Sequence, residues 1–211
     1  MKLAVRLLSD LAPDYVLAPE RHLLAAGAAA AGDGIPLGDL VEERRERVDP
    51  RTCANAVVLD TSHARDGILD VAGALRDGAG TKSAKKGVAR GDLIVSRLRP
   101  YLRQIALVHP SALAVAGERP LALSTEFYVL AAKDGKDLAF LVPFLLSDAA
   151  QASLAAAQEG GHHPRVPRTS LFALRVPRAL VTARARSSRA VNEALAESYR
   201  ASSQWRALLD E

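Results

Sequence analysis

Residues 87–108, GVARGDLIVSRLRPYLRQIALV, decide how the rest of the chain is read. Residues 92–96 and 104–108 are short runs of branched and apolar side chains, too short for ordinary helices. They are bounded by Gly91 on one side and Pro110 on the other, so each predicts a strand. Between them Arg97, Arg99 and Arg103 surround Pro100, which marks a turn. The unit is strand, basic loop, returning strand.

Working outward, residues 56–59 and 126–130 have the same character. With turn residues Gly67 and Pro120 between elements, the four runs predict one twisted sheet of mostly non-local pairings. Residues 137–158 lack glycine and carry apolar residues at helical spacing, with Pro143 in the first turns or at a kink and Gly160-Gly161 as the stop. They predict a helix packed on the sheet. Residues 171–176 predict a last strand ending at Pro177. Upstream, 21–31 predict a short helix that stops at Gly32-Asp33-Gly34. At the other end, Val191, Leu195, Tyr199, Ser202 or Trp205, and Leu208 or Leu209 recur every three or four residues, the pattern of an amphipathic helix from about 184 to 209.

The 211 residues suit one hydrophobic core. A balance of 49% hydrophobic and 25% charged residues is that of a globular protein rather than a disordered one. The net charge of +4 says little as a sum, but its distribution is uneven. Lys82, Lys85, Lys86, Arg90, Arg97, Arg99 and Arg103 share a stretch whose only acid is Asp92. Arg165, Arg168, Arg175, Arg178, Arg184, Arg186 and Arg189 follow with no acid among them. By contrast, residues 42–47 alternate sign, so Arg44 and Arg45 read as part of a solvated face. The single cysteine, Cys53, cannot form an internal disulfide and reads as a small buried hydrophobe. Apolar runs fall short of the roughly 20 residues that span a bilayer, and a cytoplasmic location is expected.

The sequence carries no persuasive catalytic signature. Residues 78–83, GAGTKS, lack the spacer of a phosphate loop. His162 and His163 are adjacent, so their side chains diverge, and no second cluster supplies further metal ligands. Asp60-Thr61-Ser62-His63 holds an acid, hydroxyls and an imidazole, but sequence neighbours seldom form a triad. No cofactor is expected on this chain. Two other classes stay open: a metal-dependent DNA nuclease with an unrecognised motif, and a scaffold that does not bind DNA.

Beyond these patterns, residues 87–108 resemble a stretch common in type I restriction-modification specificity subunits. STEFYVL at 124–130 is similar to the family's next central strand, LVPFLLSDAAQASL at 141–154 to its following helix, and EGGHHPRVPRTSLFALRVP at 159–177 to its glycine turn and closing strand. DYVLAPE at 14–20 and IPLGDLV at 35–41 are similar to its opening segments. The resemblance implies an α+β fold: a target-recognition domain over residues 1–180, built on a twisted mixed sheet with flanking helices, and a C-terminal amphipathic helix over 181–211. It implies a non-catalytic chain that binds double-stranded DNA and directs a methyltransferase subunit, which would carry S-adenosylmethionine, with a restriction subunit as a further partner.

On that reading the DNA-contacting candidates are Lys82, Lys85, Lys86, Arg97, Arg99, Arg103, His162, His163 and Arg165. Guanidinium forks such as those of Arg97 or Arg99 suit guanine edges, lysines and arginines on loops between strands suit phosphates, and His162, His163 and Arg165, after Gly160-Gly161, are placed to reach a second groove edge. The chain departs from the family in having one recognition domain instead of two. Pairing with a second copy, or docking on the methyltransferase, is therefore expected through Val191, Leu195, Tyr199, Trp205 and Leu209.

Overall fold

The computed structural model describes residues 33–48, 55–78, 84–117, 119–160 and 164–209. The helix expected over 21–31, Cys53, Lys82, His162 and His163 lie outside the described residues. In chain order the elements are β1 Gly34–Pro36, α1 Leu37–Leu40, β2 Val41–Glu43, β3 Arg47–Val48, β4 Val57–Leu59, β5 Ala64–Arg65, β6 Ile68–Leu69, α2 Val71–Asp77, β7 Lys85–Gly87, β8 Leu93–Ser96, β9 Ile105–Leu107, α3 Pro110–Ala116, β10 Leu121–Leu123, β11 Phe127–Ala132, α4 Leu141–Leu146, α5 Asp148–Ala156, α6 Arg168–Ala173, β12 Arg175–Pro177, α7 Arg178–Thr182 and α8 Arg184–Leu209.

The α+β class holds, but the expected single sheet is divided. One four-stranded sheet has the order β2-β11-β8-β9, all antiparallel. A second has the order β3-β7-β10-β4 and is mixed, since β10 and β4 run parallel. The first sheet is a wall with a core on each side. Leu93, Val95, Ile105, Leu107, Tyr128 and Leu130 face α4 and α5, whereas Ile94, Ala106, Phe127 and Val129 face Val57, Leu59, Leu121 and Leu123 of the second sheet. Successive strand residues point to opposite faces, so burial on both faces demands unbroken apolar runs. That is why LIV, IAL and FYVL stood out in the sequence.

Two other expectations are corrected. The helix over 137–158 is broken at Ser147, whose backbone is extended (ψ 149°). Its hydroxyl donates to the Phe144 carbonyl at 2.6 Å and accepts from Ala150 N–H at 3.3 Å, ending α4 and capping α5. Gln151 Nε2 donates to the Leu145 carbonyl left over at the break. The strand expected over 171–176 is mostly α6. Leu171 and Leu174, both buried, are spaced for a helix, and only Arg175–Pro177 extends to pair with Gly34–Pro36. A Cβ at Gly34 would meet the Val176 carbonyl oxygen at 2.7 Å, so this pairing requires glycine there.

Helix α8 has the expected bounds and lies along both cores. Its apolar stripe is consumed within the chain: Leu195 is 6% exposed in one core, Tyr199 is 7% exposed in the other, and Val191 packs against the first. The Tyr199 hydroxyl accepts from Leu69 N–H at 2.9 Å and donates to Leu69 O at 3.2 Å. Burial pushes that phenol up to about 12, so it keeps the proton it donates. Ser188 Oγ accepts from Phe140 N–H, and Arg206 reaches Asp70 at 3.2 Å. Leu195 and Tyr199, expected on a seam for a partner, are therefore covered within the chain, and Val191 is partly covered. Trp205, Leu208 and Leu209 remain more than 60% exposed. No helix among the described residues is long and apolar enough to cross a membrane.

His109 sits where α3, α8 and β9 meet, buried and stacked on Tyr199 with ring centroids 5.9 Å apart. Its Nδ1 accepts from Ser111 N–H at the start of α3. Burial, aided by nearby Arg90 and against the pull of Asp137, lowers its pKa below 6.5. Protons are then bound more readily by the unfolded chain, so this part of the stability is complete above pH about 6.5 and is lost as the pH falls toward the lowered value. Denaturant unfolding between pH about 5 and 7 checks this. His109→Asn, which retains a capping oxygen but does not titrate, should flatten the slope; identical profiles would exclude His109 as its source.

Candidate nucleic-acid interface

Two buried or half-buried carboxylates organise most of the cations on one concave face. Glu43, at the end of β2, has a side chain only 8% exposed. It receives Lys86 Nζ at 3.2 Å, Arg45 Nε at 3.2 Å and Arg168 Nε at 3.1 Å. These cations come from β7 of the other sheet, from the turn after β2 and from the start of α6. The second carboxylate, Glu126, takes two bonds from Arg165, Nε to Oε2 at 3.0 Å and Nη2 to Oε1 at 2.7 Å. Arg97 Nε lies 4.0 Å away from it. The Arg165 guanidinium holds the Glu126 carboxyl below the usual carboxylate range, with Arg97 and Lys86 adding to the effect against burial.

Tyr128 lies between the two carboxylates. Lys86 and Arg97 stand over its ring at 5.8 and 5.5 Å from the centroid. Its hydroxyl donates to Val166 O at 2.8 Å, tying β11 to the segment that carries Arg165 and Arg168. The backbone locks the same parts together: Arg97 N–H donates to Glu126 O and Val166 N–H to Arg97 O, both at 2.9 Å. The result is two adjoining hollows of about 540 and 550 Å³ that share Glu43, Arg45 and Arg97. Arg165 and Arg168 line one, Arg47 and Lys86 the other.

The sequence candidates divide accordingly. Lys86, Arg97 and Arg165 come together here. Lys85 is the neighbour of Lys86 on β7 and points to the opposite face. Arg103 turns away: it donates to Leu146 O at 2.9 Å and pairs with Asp148, bracing the β8–β9 loop against the break between α4 and α5. Arg99 is exposed at the start of a 3₁₀ turn, Pro100–Leu102, in a left-handed conformation (φ 44°) that non-glycine residues seldom adopt. Tyr101, on that turn, is 70% exposed.

Sequence reading missed Arg45, Arg47 and Arg168 as site residues, and both organising glutamates. The alternating run over 42–47 looked like a solvated face, and indeed Arg44 is committed elsewhere, to Asp92 through Nε at 2.8 Å and Nη2 at 3.2 Å. Arg45, expected to resemble Arg44, instead lines the cleft. His63 has both ring nitrogens engaged, Nδ1 by Asp60 N–H and Nε2 by Asp77, each at 3.0 Å, which leaves it no nitrogen to activate Thr61 or Ser62.

No protein-family model matches this sequence, and no curated protein matches it. Among solved structures the chain is similar to one describing complex assembly and conformational transition of the type I R-M system, with 25% identity and a TM-score of 0.52 over 84% of this chain and 46% of that one. It is also similar to the crystal structure of the HsdS subunit from Thermoanaerobacter tengcongensis, with 25% identity and a TM-score of 0.51 over 83% of this chain and 44% of that one. The chain thus spans less than half the length of the structures it matches. Over most of its length, the chain is similar in fold to the target-recognition domain of HsdS, the specificity subunit of type I restriction-modification systems.

Proposed function

We propose that this chain binds double-stranded DNA in a sequence-dependent way and directs a partner adenine methyltransferase to its site, without catalysing a reaction itself. The observation that carries the reading is the gathering of Arg45, Arg47, Lys86, Arg97, Arg165 and Arg168 around one pair of hollows, on a fold similar to that of HsdS. Cations brought from both sheets and from α6 give a polyanion a broad surface, and forked guanidiniums are the side chains best suited to guanine edges. Chemistry would then belong to the methyltransferase subunit and its S-adenosylmethionine. A restriction subunit would join as a further partner.

Trp205, Leu208 and Leu209, exposed at the end of α8, offer apolar groups to a partner subunit or a second copy. The test is reconstitution. Purified chain alone should transfer no methyl group to DNA, and methylation of a defined set of sites should appear on adding a cognate methyltransferase subunit. Methyl transfer or metal-dependent cleavage by the isolated chain would overturn the reading. So would a reconstituted complex that methylates without regard to sequence.

A further inference from the structure

Five cations converge on two carboxylates in the cleft, and that arrangement differs from an ordinary polyanion surface. A cleft built only to hold phosphates has no use for Glu43 and Glu126, because each carboxylate cancels part of the field that attracts the backbone. Here both are tightly engaged, Glu43 by Lys86, Arg45 and Arg168, and Glu126 by both nitrogens of the Arg165 fork. From this geometry we infer that Glu43 and Glu126 are specificity-determining positioning residues, which hold the guanidiniums in set directions and make DNA phosphates compete with an internal carboxylate for them. The inference rests on the DNA-binding reading above.

Three consequences follow from the geometry. A bidentate carboxylate fixes the plane of a guanidinium, so a DNA group gains a full bond only where its acceptors lie in that plane. Guanine O6 and N7 offer such a pair, and their positions depend on sequence. A phosphate approaching from an arbitrary direction gains less, and it must also displace or share the carboxylate. Non-specific affinity is thereby lowered more than specific affinity, which widens the difference between sites. Glu126 remains ionised at neutral pH, because Arg165 holds its pKa down.

The test uses the full chain and a pool of duplexes with a randomised centre, with binding followed by fluorescence anisotropy over a range of KCl and the bound fraction sequenced. Glu126→Gln, which keeps the shape but removes the charge, should bind the pool about three- to tenfold more tightly at low salt. Its salt slope should steepen by about 0.9, the value for one more phosphate contact. Sequence enrichment in the bound fraction should flatten. Glu43→Gln should shift all three in the same direction; because its carboxylate is more buried, thermal unfolding is measured alongside, and the half-buried Glu126 variant decides if Glu43→Gln fails to fold.

A merely structural role predicts something else: weaker binding to every sequence, in proportion to lost stability, with the slope unchanged. That result overturns the inference, as does a Glu126→Gln protein that melts like wild type and keeps both pool affinity and enrichment. Wild-type chain that fails to bind the pool even at low salt would sink the DNA reading and this inference with it, whereas wild-type binding with an unaltered variant sinks the inference alone.

Discussion

Leu195→Asp is expected to destabilise the chain itself by about 3–5 kcal/mol, and not to act as a change at a surface. Leu195 is 6% exposed and belongs to the core formed with α4 and the first sheet. Its side chain also approaches the turn at Gly67, within 3.6 Å of where a Cβ there would stand. Aspartate would remove the leucine's contacts and bury a carboxylate among apolar groups, where nothing in that cluster offers it a cation. Against a typical total of roughly 5–15 kcal/mol this is a large share. For a chain of this size it corresponds to a fall in Tm of roughly 6–20 °C.

Urea unfolding of both proteins checks this result, with Trp205→Ser as the comparison. Trp205 is 63% exposed, so its replacement should leave stability within about 0.5 kcal/mol. If Leu195→Asp melts like wild type but loses a partner subunit, Leu195 does not pack on the core of the free chain and its face of α8 is the docking surface. If Trp205→Ser alone loses the partner, the end of α8 is the docking surface.

The second large effect is expected at the cleft. Replacing Arg45, Arg97 and Arg168 together by glutamine should remove most of its capacity to hold DNA while leaving a hydrogen-bond donor near Glu43 and Glu126. If all three meet phosphates, the salt dependence of binding should shallow by about 2.7 units. If one reads a base, its own loss should cost about 1–3 kcal/mol and relax preference at one position of the site. The control pair is Arg65 and Arg200, whose side chains are 80% and 73% exposed and pair with their near neighbours Asp66 and Glu197. Arg44 and Arg45 do not serve as a control, because one is locked onto Asp92 and the other lines the cleft. Titrations at several salt concentrations check the result; equal losses from the triple variant and from the control pair would mean that DNA uses another face.

How far each of these features could be read in advance depends on whether its cause is local. Residues 93–96, 105–107 and 127–130 announced themselves as strands because burial on both faces leaves no polar position to interrupt the run. The bounds of α8 were legible from its three- and four-residue apolar spacing, whereas the helix expected to run to 158 ends at Ala156, before the Gly160-Gly161 stop. The break at Ser147 was less so, since serine there competes with the helix through a single hydroxyl, and only the recapture of the Leu145 carbonyl by Gln151 makes the interruption tolerable.

Two matters were decided only by the tertiary structure. An amphipathic stripe states that a face must be covered and says nothing of what covers it, so whether Leu195 and Tyr199 met this chain's own cores or another molecule depended on where α8 returned. The cleft is the stronger case. Glu43, Lys86, Glu126 and Arg168 lie far apart in the chain, and nothing in the sequence links Lys86, a candidate by its basic stretch, to the other three. Charge pairing acts through space, so the meaning of these residues came from the two sheets and α6, which bring Lys86 and Arg168 to 3.2 and 3.1 Å from Glu43 and Arg165 to 2.7 Å from Glu126. Local patterning was enough to read an α+β chain with basic loops between buried strands; the fold decided which of those bases face one another, and which carboxylates hold them.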